Sequence, residues 1–274
     1  MRIKLTRILF LMLLMTIFLS VPVFASTKWT ITQELNKAGG HHMFYTITSN
    51  KGLIVIDGGH PDNYRYVKSV IQKSGGTVHL WIISHPHKDH VGAFLELVKD
   101  KSIKIKKILA PKIPESVFNG STNYQKEIYR QFYKTLKKQK NVVYAKAGTT
   151  LTIKGLNIKF YNGYSSEWKS LYDKYVINKY SLVFKIRGKQ KSMLFTGDIS
   201  RQIANTLAGR YGRELKSDYY QVPHHGIAYE AKNLSRTVKP SVAFVDSKTR
   251  TNVSELKKFS KVVFADSQYK VSIY

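Results

Sequence analysis

Three histidines and one aspartate fall within the six residues His85-Pro86-His87-Lys88-Asp89-His90. Imidazole nitrogen and carboxylate oxygen at this density are the donors that zinc takes, with one position left open when the ion is catalytic. The segment follows directly on His79-Leu80-Trp81-Ile82-Ile83-Ser84, an apolar run that reads as a buried strand. Two further apolar runs end in candidate ligands. Ser192-Met193-Leu194-Phe195 leads into Thr196-Gly197-Asp198, and Tyr219-Tyr220-Gln221-Val222 leads into Pro223-His224-His225-Gly226. Open α/β sheets place their sites at the carboxyl ends of strands, so three such ends carrying metal donors form a consistent set.

The elements that must position these residues follow from the pattern of apolar runs and breakers. Strands are expected near 29–34, 42–48, 52–56, 78–84, 106–110, 149–153, 156–161, 181–187, 190–196, 218–222, 241–246 and 262–265. Helices are expected near 62–74, 91–100, 122–139, 199–211, 229–237 and 252–259. Strands interleaved with helices point to α/β layering. No linker, low-complexity tract or short repeat divides the chain, and the length suits one large core.

These motifs resemble the metallo-β-lactamase superfamily of zinc hydrolases. The residues that carry the resemblance are Ile56-Asp57-Gly58-Gly59, the cluster from His85 to His90, Thr196-Gly197-Asp198 and Val222-Pro223-His224-His225-Gly226. Within that superfamily the chain is most similar to the extracellular hydrolase domain of bacterial DNA-uptake (competence) channel proteins. Asn178-Lys179-Tyr180-Ser181-Leu182-Val183, Leu215-Lys216-Ser217-Asp218 and Val238-Lys239-Pro240-Ser241-Val242-Ala243 carry that narrower similarity. The resemblance implies an αββα four-layer sandwich with one or two metal ions at one edge, zinc or alternatively manganese. His85 and His87 would hold one ion. Asp89, His90 and one histidine of the 224–225 pair would hold the other, with Asp198 bridging. The chain departs from the pattern in having no histidine between His90 and His224 and none after His225, where Ile227 follows the glycine.

Individual roles are expected as follows. His225 is the expected ligand of its pair, because Gly226 lets the backbone come close and neighbouring side chains on an extended segment point to opposite sides. His224 and Asp89 are expected to be catalytic, His224 by contacting substrate or giving a proton to the leaving group. Asp57 is expected to orient a ligand histidine rather than bind metal. Lys88 and His60 are candidates for substrate contact. His41 and His42 follow two glycines, lack a partner pattern and receive no role.

Targeting and charge complete the reading. Arg2, Lys4 and Arg7 precede an apolar run from Ile8 to Phe24, and Ala25 offers a cleavage site, so residues 1–25 read as a signal peptide and 26–274 as the hydrolase domain. Cleavage would leave no stable membrane span and a secreted or cell-wall-associated protein. The chain has no cysteine, which excludes disulfides and thiolate ligands. Its net charge is +28, and a field of that sign attracts polyanions. Tyr124, Ile128, Phe132 and Leu136 are spaced four apart and are expected to form the buried stripe of a helix. Its other face carries Lys126, Arg130, Lys134, Lys137 and Lys138. Trp168, Tyr172, Tyr175 and Tyr180 are expected to lie partly buried under a long loop. The expected function is a phosphodiesterase or nuclease acting on nucleic acid through a metal-bound hydroxide. Two other readings use the same features: hydrolysis of a cell-wall polymer such as teichoic acid or its choline phosphate ester, and polyanion binding by a catalytically impaired relative. No protein partner is indicated.

Overall fold

A computed structural model describes residues 27–37, 40–119, 121–171, 176–227, 231–248 and 253–274. The expected signal segment lies outside these residues, as do Tyr172 and Tyr175. In chain order the strands are β1 (Trp29–Gln33), β2 (Phe44–Ser49), β3 (Gly52–Asp57), β4 (Thr77–Val78), β5 (Leu80–Ile82), β6 (Lys104–Ile105), β7 (Ile108–Pro111) and β8 (Val142–Ala145). They continue as β9 (Thr150–Ile153), β10 (Leu156–Asn162), β11 (Val183–Arg187), β12 (Ser192–Phe195), β13 (Tyr219–Gln221), β14 (Val242–Val245), β15 (Lys261–Phe264) and β16 (Tyr269–Ile273). The helices are α1 (Tyr64–Lys73), α2 (Lys88–Leu97), α3 (Asn123–Lys137), α4 (Arg201–Tyr211), α5 (Lys232–Val238) and α6 (Ser254–Lys257).

Two seven-stranded sheets run β16-β1-β2-β3-β5-β7-β8 and β15-β14-β13-β12-β11-β10-β9, with β4 and β6 paired apart from them. Their facing sides share one apolar layer, in which Ile31, Tyr45 and Ile56 of the first sheet meet Phe160, Phe184 and Phe195 of the second. The outer side of the first sheet is covered by α1, α2 and α3 through Val67, Phe94 and Phe132. The outer side of the second is covered by α4, α5 and α6 through Leu207, Leu234 and Leu256. The result is the expected αββα sandwich.

Half of each sheet is parallel: β3, β5, β7 and β8 in the first, and β12 to β15 in the second. The carboxyl ends of β3, β5, β12, β13 and β14 lead into Asp57, His85, Asp198, His225 and Asp246. The run at 78–84 is split between β4 and β5. The following helix starts at Lys88, earlier than expected, so Asp89 and His90 sit in its first turn. Strands β6, β8 and β16 have no counterpart among the expected elements.

Helix α3 opens with a capping box in which the Thr122 hydroxyl accepts from the Gln125 amide at 3.3 Å and the Gln125 side chain accepts from the Thr122 amide at 3.4 Å. Its apolar stripe is Tyr129, Phe132, Tyr133 and Leu136, an i, i+3, i+4, i+7 set. The expected stripe through Tyr124 is therefore corrected: that ring is 51% exposed, on the first turn, with Lys88 Nζ 5.5 Å from its centroid. Trp168 and Tyr180 are buried.

The central layer sets a stability prediction. Phe195 is fully buried, stacks on Phe184 at 5.1 Å and meets Tyr45 edge-on from the opposite sheet at 5.3 Å. Phe195→Ala is expected to cost about 3–5 kcal/mol in denaturant unfolding. A loss under about 1 kcal/mol would contradict this packing.

Candidate metal centre

Asp57 ends β3 in the left-handed region at φ 52°, which turns its carboxylate inward beneath the ligand turn. The amide and hydroxyl of Ser84 donate to its two oxygens at 2.7 and 2.6 Å, and His90 Nδ1 donates to it at 2.7 Å. The Trp81 indole donates to its carbonyl at 2.8 Å. Backbone bonds tie the same two turns together: Gly58 N–H donates to His90 O at 2.8 Å, and Ala93 N–H to Gly59 O at 3.2 Å. Gly59 has φ 71°, and a Cβ there would stand 1.8 Å from His42 Nδ1.

The second half of the site comes from the other sheet. The amide of His224 donates to Gly197 O at 3.0 Å, which holds the histidine pair against the turn bearing Asp198. Both histidines are left-handed, with φ 52° and 55°. The extended geometry expected for the pair is corrected. A left-handed turn, not strand alternation, separates the rings and sends His225 inward. Left-handed non-glycine residues cost on the order of 1–3 kcal/mol each, a strain typical of functional sites.

Two groups of side chains have ligand atoms within 4.8 Å of one another: Asp89, His90, Asp198 and His225, and His85, His87 and Asp198. Asp198 belongs to both. Its Oδ2 lies 3.3 Å from His225 Nε2 and 3.8 Å from His85 Nε2, and its Oδ1 lies 3.3 Å from His90 Nε2. His90 and His225 bring their Nε2 atoms to 3.3 Å, and His85 Nε2 is 3.0 Å from His87 Nδ1. The outer ring nitrogens are tied elsewhere. His225 Nδ1 donates to Asp246 O at 3.1 Å, and the Ser84 hydroxyl, whose proton goes to Asp57, accepts from His85 Nδ1 at 3.0 Å. Imidazoles fixed from behind in this way turn a lone pair toward a metal. Buried His87 Nε2 has no hydrogen-bond partner among the described residues. This donor set, four imidazoles and two carboxylates, fits divalent cations.

Charge divides the site. Burial, with His90 and His87 nearby, holds His85 well below the ordinary histidine range, and burial brings His87 down to about 4. These rings are neutral. Burial also disfavours charged His90 and His225, but the carboxylates around them outweigh it. His90 is driven well above the ordinary range, and His225 is pushed up to about 10. The same pairings overcome burial at Asp198 and Asp89 and hold both carboxyls below their usual range.

The remaining candidates divide by position. His224 is half-buried beside the cluster, its Nε2 3.4 Å from Asn178 Nδ2. Lys88 is half-buried at the start of α2, with its Nζ over the Tyr124 ring. His60 is engaged locally, 2.9 Å from Asp62, where it caps the turn Pro61–Asn63. Three residues of the site stand outside the sequence expectations. His41 stacks on His225 with ring centroids 5.1 Å apart. His42 is buried and accepts from Asn63 Nδ2 at 2.7 Å under Gly59. Asp246 is buried, bound by Tyr45 Oη at 2.6 Å and Gln33 Nε2 at 2.8 Å. Its signal is present in the sequence: it ends the apolar strand β14 as Asp198 follows β12.

Two outcomes follow. Asn tolerates a left-handed φ, so Asp57→Asn keeps the turn while weakening the hold on His90. Metal affinity, read by competition with a chromophoric chelator, is expected to fall about 10–100-fold; unchanged affinity would remove Asp57 from the site. The second outcome concerns protons. In metal-free protein His90 and His225 have raised pKa values, so both carry protons at pH 7 and a metal must displace them. Affinity should rise with pH between about 6 and 8, with about two protons released on binding, measured by calorimetry in buffers of different ionisation enthalpy. Flat affinity across that window would contradict the pairing.

No curated protein sequence matches the chain. The metallo-β-lactamase fold protein YhfI from Bacillus subtilis superposes with a TM-score of 0.57 at 12% identity, covering 90% of this chain and 99% of its own. Igni18, a metallo hydrolase from the archaeon Ignicoccus hospitalis, gives 0.52 at 17% identity, covering 89% and 99%. CmlA, a diiron β-hydroxylase from Streptomyces venezuelae, gives 0.51 at 12% identity, covering 90% of this chain and 54% of its own. The family model for the metallo-β-lactamase superfamily matches residues 39–245, and with two sandwiched sheets delivering its motifs to one edge, the chain belongs to that superfamily.

Proposed function

We propose that this protein is a secreted metal-dependent phosphodiesterase acting on nucleic acid. The observation that carries this reading is the carboxylate of Asp198, shared between two groups of metal donors on a chain of net charge +28. Paired cations suit the displacement of a phosphoryl leaving group, and the positive field favours a polyanionic substrate. The similarity to the hydrolase domain of competence channel proteins, carried by Asn178 to Val183 and Leu215 to Asp218, supports the choice of nucleic acid. The basic and apolar N-terminus supports export.

His85, His87 and Asp198 would hold one ion, and Asp89, His90, His225 and Asp198 the other. Zinc suits the imidazole-rich donors, manganese is an alternative, and the diiron fold neighbour makes iron worth assaying. Ions held there would supply Lewis acidity and would lower the pKa of a coordinated water from ~15.7 to about 7. The protein's own residues do the rest. The Asp89 side chain is 28% exposed, whereas those of His90, Asp198 and His225 are at most 3% exposed. Asp89, the more exposed of the two carboxylates, orients the attacking water. His224, its ring centroid 6.2 Å from that of His225, gives a proton to the departing oxygen, with Asn178 positioning its ring. Lys88, next to Asp89 in the chain, meets a substrate phosphate.

The test is metal analysis of the purified protein, followed by assay against DNA, RNA, bis-p-nitrophenyl phosphate and p-nitrophenyl phosphorylcholine. Turnover of nucleic acid and of the diester is expected. Activity confined to the phosphorylcholine ester would favour a cell-wall substrate, and binding of DNA without turnover of any diester would favour an impaired binding protein. His225→Ala should lose metal. His224→Ala should keep metal and lose rate by about 10²–10⁴-fold, most with poor leaving groups. Metal lost from His224→Ala and kept in His225→Ala would reverse the assignment.

A further inference from the structure

Helix α3 and the edge strand β8 enclose a cavity of about 690 Å3 apart from the metal donors. Tyr129, Tyr133, Tyr144 and Tyr164 supply its rings, and Lys112, Lys134 and Lys137 its cations. The acid in its lining, Glu115, is taken by Arg130 at 2.9 Å. Tyr133 is fixed at both ends of its hydroxyl: it donates to Pro111 O at 2.7 Å and accepts from Ile113 N–H at 2.9 Å. Tyr144 is 39% exposed, and Lys112 Nζ lies 5.7 Å from its centroid.

The sheet register places this groove beside the metal centre. β5 pairs Ile82 with Leu109 of β7, and β7 pairs Pro111 with Ala145 of β8. Lys112 therefore leaves the sheet level with the turn that carries His85, one strand over, and Tyr144 lies one strand further out. Strand spacing is about 4.8 Å, so the groove starts within about 10 Å of that turn. The first turn of α3 carries exposed Tyr124 with Lys88 over its ring, about half a turn round the helix from Tyr133.

We propose that this groove is a substrate subsite that holds an unpaired nucleic-acid strand, with bases on the tyrosine rings and phosphates on the lysines. Exposed base faces and regularly spaced anions are the two features that rings interleaved with cations recognise. A duplex, whose bases are stacked on each other, offers only the anions. The proposal rests on the phosphodiesterase reading.

The experiment uses the purified metal-loaded protein and a fluorescent phosphorothioate oligothymidylate of about twelve nucleotides, with a duplex of equal length alongside. Anisotropy gives affinity across a salt series, and bis-p-nitrophenyl phosphate turnover is followed in parallel. Tyr144→Ala is expected to weaken single-strand binding about tenfold with little effect on duplex binding and none on the small diester. The double change Lys112→Ala with Lys134→Ala should lower the single-strand salt slope by about 1.4, two contacts of ~0.7 each. Wild-type affinity and slope in both variants would overturn the groove, as would equal losses for single strand and duplex in Tyr144→Ala. If the variants weaken single-strand binding while no phosphodiester is turned over, the groove stands and the phosphodiesterase reading fails. If the diester is turned over while oligonucleotide binding is unaltered in the variants, the groove fails and the phosphodiesterase reading stands.

Discussion

A buried carboxylate has to be neutralised or hydrogen-bonded, because an unpaired one would cost several kcal/mol. Asp57 meets that demand with three donors, drawn from the end of β5 and from the first turn of α2. The requirement is structural before it is chemical. It fixes where the strand after β3 must end, how the ligand turn must fold over it, and which nitrogen of His90 is left facing the cluster. The backbone bonds between the Gly58-Gly59 turn and α2 repeat the same constraint without side chains.

Asp198 answers the same demand from the second sheet, with a different outcome. Its partners are His90 and His225, both of which it shares with Asp89. Without a cation, the cluster is held together by protons on these two rings. His85 and His87 lie on the side where burial has removed the proton, so the two donor groups differ in charge although they share a carboxylate. A cation entering the first group meets ready lone pairs, and one entering the second must displace protons but gains two carboxylates. The missing histidine between His90 and His224 is thus reflected in a structure whose two halves are unlike.

Most of this site is legible in the sequence because its ligands are consecutive in short motifs at the ends of apolar runs, where residue type and position both speak. The fold follows from the same runs and from the family resemblance. The features that are not legible depend on partners far away in sequence. His41 has meaning only beside His225, Asp246 only beside Tyr45 and Gln33, and Tyr124 is exposed because its turn overhangs Lys88 rather than the core. β8 is hard to read because two of its four residues are exposed and no long apolar run marks it. β16 alternates Tyr269, Val271 and Ile273 with polar residues, a pattern too short to read without knowing that β1 waits for it. Strand alternation selects His225 over His224, whereas the structure reaches the same residue through two left-handed positions.

That last strand has a kinetic meaning. β16 pairs Trp29 with Ile273 and so completes the first sheet only through a contact spanning nearly the whole described chain. Closing a loop of that length costs about 5 kcal/mol of chain entropy before any contact repays it. Folding dominated by such distant pairings is slow. A ribosome or a translocation pore that still holds residues 269–273 would keep β1 from its second neighbour and leave that sheet edge unpaired. Assembly of the N-terminal sheet, which carries four of the six proposed metal ligands, would then be a late event, finished only when that segment is free.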